Sequence, residues 1–314
     1  MLLRWSCVIV FSLFLGSCNI ATYCLNTTSS QCKSQPDPDP NPDPDPNPPT
    51  PRPENTPDIV ILGVSGRCSR FGNPPDCTNP PEDNWDYLGS WGTLEMLAQS
   101  LRSRGKRVEV WSYSAHLTNH TSNDRYAVLN NRQNQQGFLQ LEERYKTIFD
   151  QWIKGRNNPT QVILVGHSHG VNWTHQLVRA YPNRSFFCLI DLDGISTIWE
   201  TDHGQAIAWY TGGLEKKPWP IDMQRVENVY TINGITYDVK DVVPNNVKYD
   251  IEVQSMHNVF AGNLLFDAVE NVRINGSRTG ISTFESTQEQ HNPSAFPNGR
   301  GIAWVKEQLS NLPL

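Results

Sequence analysis

Val162-Ile163-Leu164-Val165-Gly166-His167-Ser168-His169-Gly170 begins with four apolar, mostly β-branched residues. That is the composition of a strand buried on both faces of a parallel sheet. The strand enters G-x-S-x-G with no spacer, and Val171, Leu177, Val178 and Tyr181 then recur at helical spacing. Strand, sharp turn and helix form the setting in which a turn serine stands clear of the strand's C-terminal end. The glycines have a physical reason: side chains at Gly166 or Gly170 would collide with the adjacent strand and helix, and the turn strains the serine backbone. A helix N-terminus behind Ser168 favours negative charge in front of it.

Upstream of this stretch the chain changes character twice. Residues 1–17 carry Arg4 and then the apolar run Cys7 to Leu15, which is short for a bilayer span and fits a secretory signal. The run ends in Leu15-Gly16-Ser17-Cys18, which resembles a bacterial lipobox. That resemblance implies lipidation at Cys18, export and anchoring to the cell envelope. From Pro36 to Pro57, 11 of 22 residues are proline, alternating with Asp and Asn. Such a segment has nothing apolar to bury and favours polyproline II. At ~3.1 Å per residue it makes a semi-rigid spacer of roughly 70 Å. Residues 18–57 are therefore expected to be a lipid-anchored linker, and residues 58–314 one folded domain held off a membrane.

The 314-residue chain is 37% hydrophobic with a net charge of −6, which gives nucleic acid no electrostatic footprint. Of seven cysteines, Cys24/Cys32 and Cys68/Cys77 are close pairs in polar stretches, suited to disulfides in an exported protein. Cys188 sits in an apolar run and reads as a buried hydrophobe. No C-x-x-C spacing is present.

Buried strands are expected at 58–63, 107–111, 185–191 and 226–232, followed by a less regular ending with apolar runs at 247–253 and 259–274. Amphipathic helices are expected around Leu94–Leu101, Phe138–Ile153 and Ile302–Leu309. Strands alternating with helices mean an α/β domain, a mostly parallel sheet with helices on both faces. Together with Gly166-His167-Ser168-His169-Gly170, this order resembles the α/β-hydrolase fold over 58–314.

The resemblance implies a serine nucleophile, Ser168, followed in the chain by an acid and then a histidine. His291, in Glu289-Gln-His-Asn-Pro-Ser just before the last helix, is the preferred base; His257 is the alternative. Asp193 is slightly preferred as the acid, with Asp191 and Asp241 as the other candidates. Oxyanion donors are expected from the backbone amides of His169 and, by resemblance, Val64. No His-Gly-Gly-Gly loop is present, so the substrate class stays open. His167 and His169 flank the serine, but no carboxylate or cysteine accompanies them at ligand spacing in the sequence, so neither metal nor cofactor is expected. The Trp-containing stretch Trp199–Trp219 is expected to be either a cap over the site or an excursion packed on the surface.

These features imply a monomeric carboxylesterase or lipase-like hydrolase acting on a small-molecule or lipid ester. Two alternatives share them: a binding lipoprotein on the same fold without activity, and an enzyme that cleaves amides or passes the acyl group to an acceptor other than water.

Overall fold

The computed structural model describes residues 49–68, 78–130, 132–196, 198–210, 229–257 and 271–314, with two short pairs at 22–23 and 33–34. The signal segment, Cys18, Cys24, Cys32, most of the proline run, Cys77 and Trp219 lie outside the described residues. Among the described residues no helix is long and apolar enough to cross a membrane.

Six parallel strands form the central sheet: β1 (Ile59–Val64), β2 (Val108–Tyr113), β3 (Gln161–His167), β4 (Phe186–Leu192), β5 (Val247–His257) and β6 (Ile281–Gln290). Their spatial order is β6-β5-β4-β3-β1-β2. The chain leaves β1 outward to β2, then returns to the other side of β1 for β3 and continues away to β6. The order therefore reverses between β1 and β3, and the crevice at the C-terminal ends of those two strands is where such sheets place a ligand.

The strands' alternating side chains are covered on both faces. Ile59, Ile61, Ile163, Val165, Ile190 and Ile251 face α2 (Thr93–Arg102) and α6 (Arg300–Asn311), with Tyr87 and Leu88 of α1 (Tyr87–Ser90) beside them. Val60, Leu62, Leu164, Phe186 and Leu189 face α3 (Phe138–Ile148) and α4 (His169–Ala180), whose Phe138, Tyr145, Trp173 and Leu177 are fully buried. The domain is an α/β fold, with helices on both faces of a parallel sheet. The helical pattern through Ile153 divides in two, because α3 ends at Ile148 and a wider turn carries Phe149–Ile153.

Two expectations shift. The strand expected at 226–232 is Val229–Ile232, paired antiparallel with Ile235–Asp238 in a hairpin apart from the main sheet. The outermost strand β6, Ile-Ser-Thr-Phe-Glu-Ser-Thr-Gln-Glu-Gln, has too polar a composition to stand out; as an edge strand it buries only Ser286 and Glu289. The last residues of the proline-rich run are not free of the domain. Thr50 bridges to Arg156 and its amide donates to the Gly155 carbonyl at 3.0 Å, and Arg52 is ion-paired with Asp58.

Candidate active site

Ser168 sits at the end of β3 as the N-cap of α4, with φ 54° and ψ −125°. That left-handed backbone is costly for a residue with a Cβ and is held by its surroundings. The Ser168 amide donates to the Leu192 carbonyl at 3.1 Å, and the Ser168 carbonyl accepts from the amides of Val171 and Ile195. A Cβ on Gly166 would lie 2.6 Å from Val171 Cα, and one on Gly170 would run into the Val64 carbonyl. Both glycines are therefore required by close backbone approach, as the sequence pattern suggests.

Asp193 follows β4 and is buried. Its Oδ2 is 2.5 Å from Nδ1 of His291, in the turn after β6. Two further donors converge on the same carboxylate: the Ser255 amide to Oδ1 at 2.7 Å and the Ser255 hydroxyl to Oδ2 at 2.6 Å. Burial alone would raise the Asp193 carboxyl, but the hydrogen bond and charge of His291 and the two bonds from Ser255 outweigh it and hold the group below the usual carboxylate range. Ser255 is invisible to motif reading; only the pairing of β4 with β5 brings it to Asp193.

The other candidates go elsewhere. Asp241 lies in a single turn, Val239–Asp241, and its carboxylate takes a 2.6 Å ion pair from Lys240. Asp191 is 2.6 Å from His175 Nε2, inside α4's face of the sheet. His257 ends β5, and its backbone registers with Gln290, so the two candidate histidines terminate neighbouring strands. The His257 side chain lies outside the described residues.

His167 is buried and ties together the Gly66 loop, α1 and the His291 turn. Its Nε2 is 3.1 Å from the His291 carbonyl and its Nδ1 is 2.5 Å from the Tyr87 hydroxyl, which accepts the Gly66 amide at 2.6 Å. A carbonyl can only accept, so Nε2 carries the proton, Nδ1 is the acceptor and Tyr87 donates to it. Desolvation, then the neighbouring His291, push the His167 imidazole down to about 3, so it is neutral in this role. The His291 turn is also held by Ser294, whose hydroxyl donates to the His291 carbonyl at 2.6 Å, and by Glu289, which accepts the Gly301 amide at 3.0 Å at the start of α6.

The amide of His169 opens α4 directly behind Ser168. Val64 does not offer the second donor. It is the last residue of β1, in register with Tyr113 and Gly166. Amides of a parallel strand alternate between its two neighbours, and the Ser65 amide donates to the Tyr113 carbonyl at 2.9 Å. The Val64 amide therefore points into β3. With Gly66 donating to Tyr87, Arg67 has the first amide past β1 that neither the sheet nor Tyr87 takes up.

The helix α5 (Trp199–Tyr210) begins the stretch expected as a cap or surface excursion. Its Trp199 is core, 1% exposed and packed edge-on against Trp173 with ring centroids 5.1 Å apart. This helix also carries Asp202 and His203 to His169, so the carboxylate missing from the sequence neighbourhood of His169 is supplied by the fold.

No protein-family model matches the chain, and no curated protein is significantly similar to it. Among solved structures it is similar to an esterase domain from Rhodothermus marinus, with 13% identity over 83% of this chain and 88% of that one and a TM-score of 0.40. It is likewise similar to alpha/beta hydrolase domain-containing protein 10 from mouse, with 12% identity, 81% and 90% coverage and a TM-score of 0.38. A third is an extracellular alpha/beta-hydrolase from a Paenibacillus species, with 10% identity, 80% and 97% coverage and a TM-score of 0.36.

Proposed function

We propose that the chain is a serine hydrolase of carboxylic esters, with Ser168 as nucleophile, His291 as base and Asp193 as the orienting acid. The observation that carries this reading is the pairing of a strained serine at the head of α4 with a 2.5 Å contact between buried Asp193 and partly exposed His291 at the same sheet edge. Ser168 attacks the ester carbonyl and passes its proton to His291 Nε2. Asp193 keeps Nδ1 protonated and stabilises the imidazolium. The tetrahedral oxyanion is met by the amide of His169, assisted by the positive end of α4, and by the Arg67 amide. His291 returns the proton to the leaving alcohol, and water then releases the acyl group by the reverse sequence.

The lipobox-like Cys18 and the proline-rich segment extend the proposal to an envelope-tethered, monomeric enzyme with a Cys68–Cys77 disulfide. Its substrate would be a small-molecule or lipid ester. The test is hydrolysis of p-nitrophenyl esters of graded acyl length by the full chain and by Ser168→Ala. Turnover that disappears with the serine supports the reading. Equal turnover by the two proteins removes Ser168 from the mechanism, and no turnover by a folded wild type rejects the reading in favour of the binding lipoprotein.

A further inference from the structure

Outside the proposed catalytic residues' chemistry, the structure gathers three metal-ligating side chains against the elbow helix. A ring nitrogen of His169, a ring nitrogen of His203 and a carboxylate oxygen of Asp202 lie within 4.8 Å of one another. His169 Nδ1 is 3.9 Å from Asp202 Oδ2. Neighbouring ligand atoms around a tetrahedral zinc at ~2.0–2.1 Å bond length sit about 3.3 Å apart, so closing the set needs side-chain adjustments of about 1 Å.

A second observation is independent of that spacing. His203 is 1% exposed, and among the described residues its Nε2 is buried without a hydrogen-bond partner. A buried, unpaired imidazole nitrogen is costly unless something fills the position.

We propose that His169, Asp202 and His203 form a binding site for a divalent transition cation of the zinc class. Two imidazoles and one carboxylate suit such an ion, and they leave a fourth position for water. Arg67 now occupies the carboxylate: its guanidinium is ion-paired with Asp202, a second nitrogen lying 3.4 Å from Oδ1. The cation and Arg67 compete for one carboxylate. Arg67, one-fifth exposed, can swing to solvent when the ion enters. Binding at this cluster does not depend on whether Ser168 reacts.

The experiment is calorimetric titration of zinc into the untagged, EDTA-dialysed full chain, with thermal melts of each protein alongside. The expected result is one equivalent bound by wild type and a zinc-dependent rise in melting temperature. Affinity should fall at least tenfold in Asp202→Asn and in His203→Ala, and rise in Arg67→Gln, which removes the competing cation. Asp202→Asn keeps the shape of the side chain, so it carries the test if His203→Ala unfolds. No binding by wild type would overturn the proposal, as would wild-type affinity in a folded Asp202→Asn.

Discussion

His291 is held at both of its ends. Its ring Nδ1 lies 2.5 Å from Asp193 Oδ2, while its backbone carbonyl accepts from His167 Nε2 at 3.1 Å. The residue beside the proposed nucleophile thus fixes the loop that carries the proposed base. Asp193→Asn keeps the shape but presents an amide where Nδ1–H needs an acceptor, which favours the wrong tautomer of His291. Ester turnover should fall by about 10⁴ in kcat with little change in folding, measured by steady-state kinetics beside a thermal melt. Undiminished turnover would remove Asp193 from the mechanism.

Tyr87→Phe removes the hydroxyl that joins the Gly66 amide to His167. Two buried polar groups lose their partner, at a cost of roughly 1–3 kcal/mol each before relaxation. Urea unfolding of the variant should show at least the lower figure. Activity should fall as well, because the hydroxyl bonds both Gly66, next to the proposed Arg67 donor, and His167, which holds the His291 turn.

Ser168→Gly relieves a backbone at φ 54° that only glycine adopts without penalty. The variant should be inactive yet more stable than wild type, by about 1 kcal/mol, or a few degrees in Tm. Ser168→Ala keeps a Cβ and should show no such gain. A Gly variant less stable than the Ala variant would contradict the strain assigned to this turn.

His167 is buried as the neutral imidazole, with its folded value pushed down to about 3 by desolvation. The unfolded chain binds the proton first, at about 6.5. Stability from this group is therefore complete above pH 6.5 and is lost as pH falls toward 3, by up to ~1.4 kcal/mol per pH unit. His167→Asn removes that dependence. The stability advantage of wild type over the variant should shrink between pH 7 and pH 4.5 in melts across that range; an advantage that grows on acidification would contradict the neutral assignment.

The central strands, the helices facing them and the serine turn were legible because their signals are local. Val162–Val165 is apolar throughout, α2 and α6 bury one stripe each, and Gly166 and Gly170 are sterically required. The Asp193 and His291 positions were legible as candidates. The preference for His291 over His257 rested on its place in a polar loop before the last helix, because both lie at the ends of adjacent strands, and the polar edge strand β6 that leads to His291 has no apolar alternation to announce it. Ser255, Tyr87 and the Asp202–His203 pair are long-range partners that no spacing rule reaches; they meet the site only through strand order and the packing of α5. Val64 failed as a donor for a register reason, since its amide is spent in the sheet.

Intact-mass analysis of the full chain after reaction with a fluorophosphonate, run on wild type, Ser168→Ala, His291→Ala and His257→Ala, decides whether Ser168 is an activated nucleophile. A single adduct is expected on wild type, none on Ser168→Ala, strongly slowed labelling of His291→Ala and wild-type labelling of His257→Ala. An adduct that survives Ser168→Ala, or a folded wild type that takes none, would contradict that role.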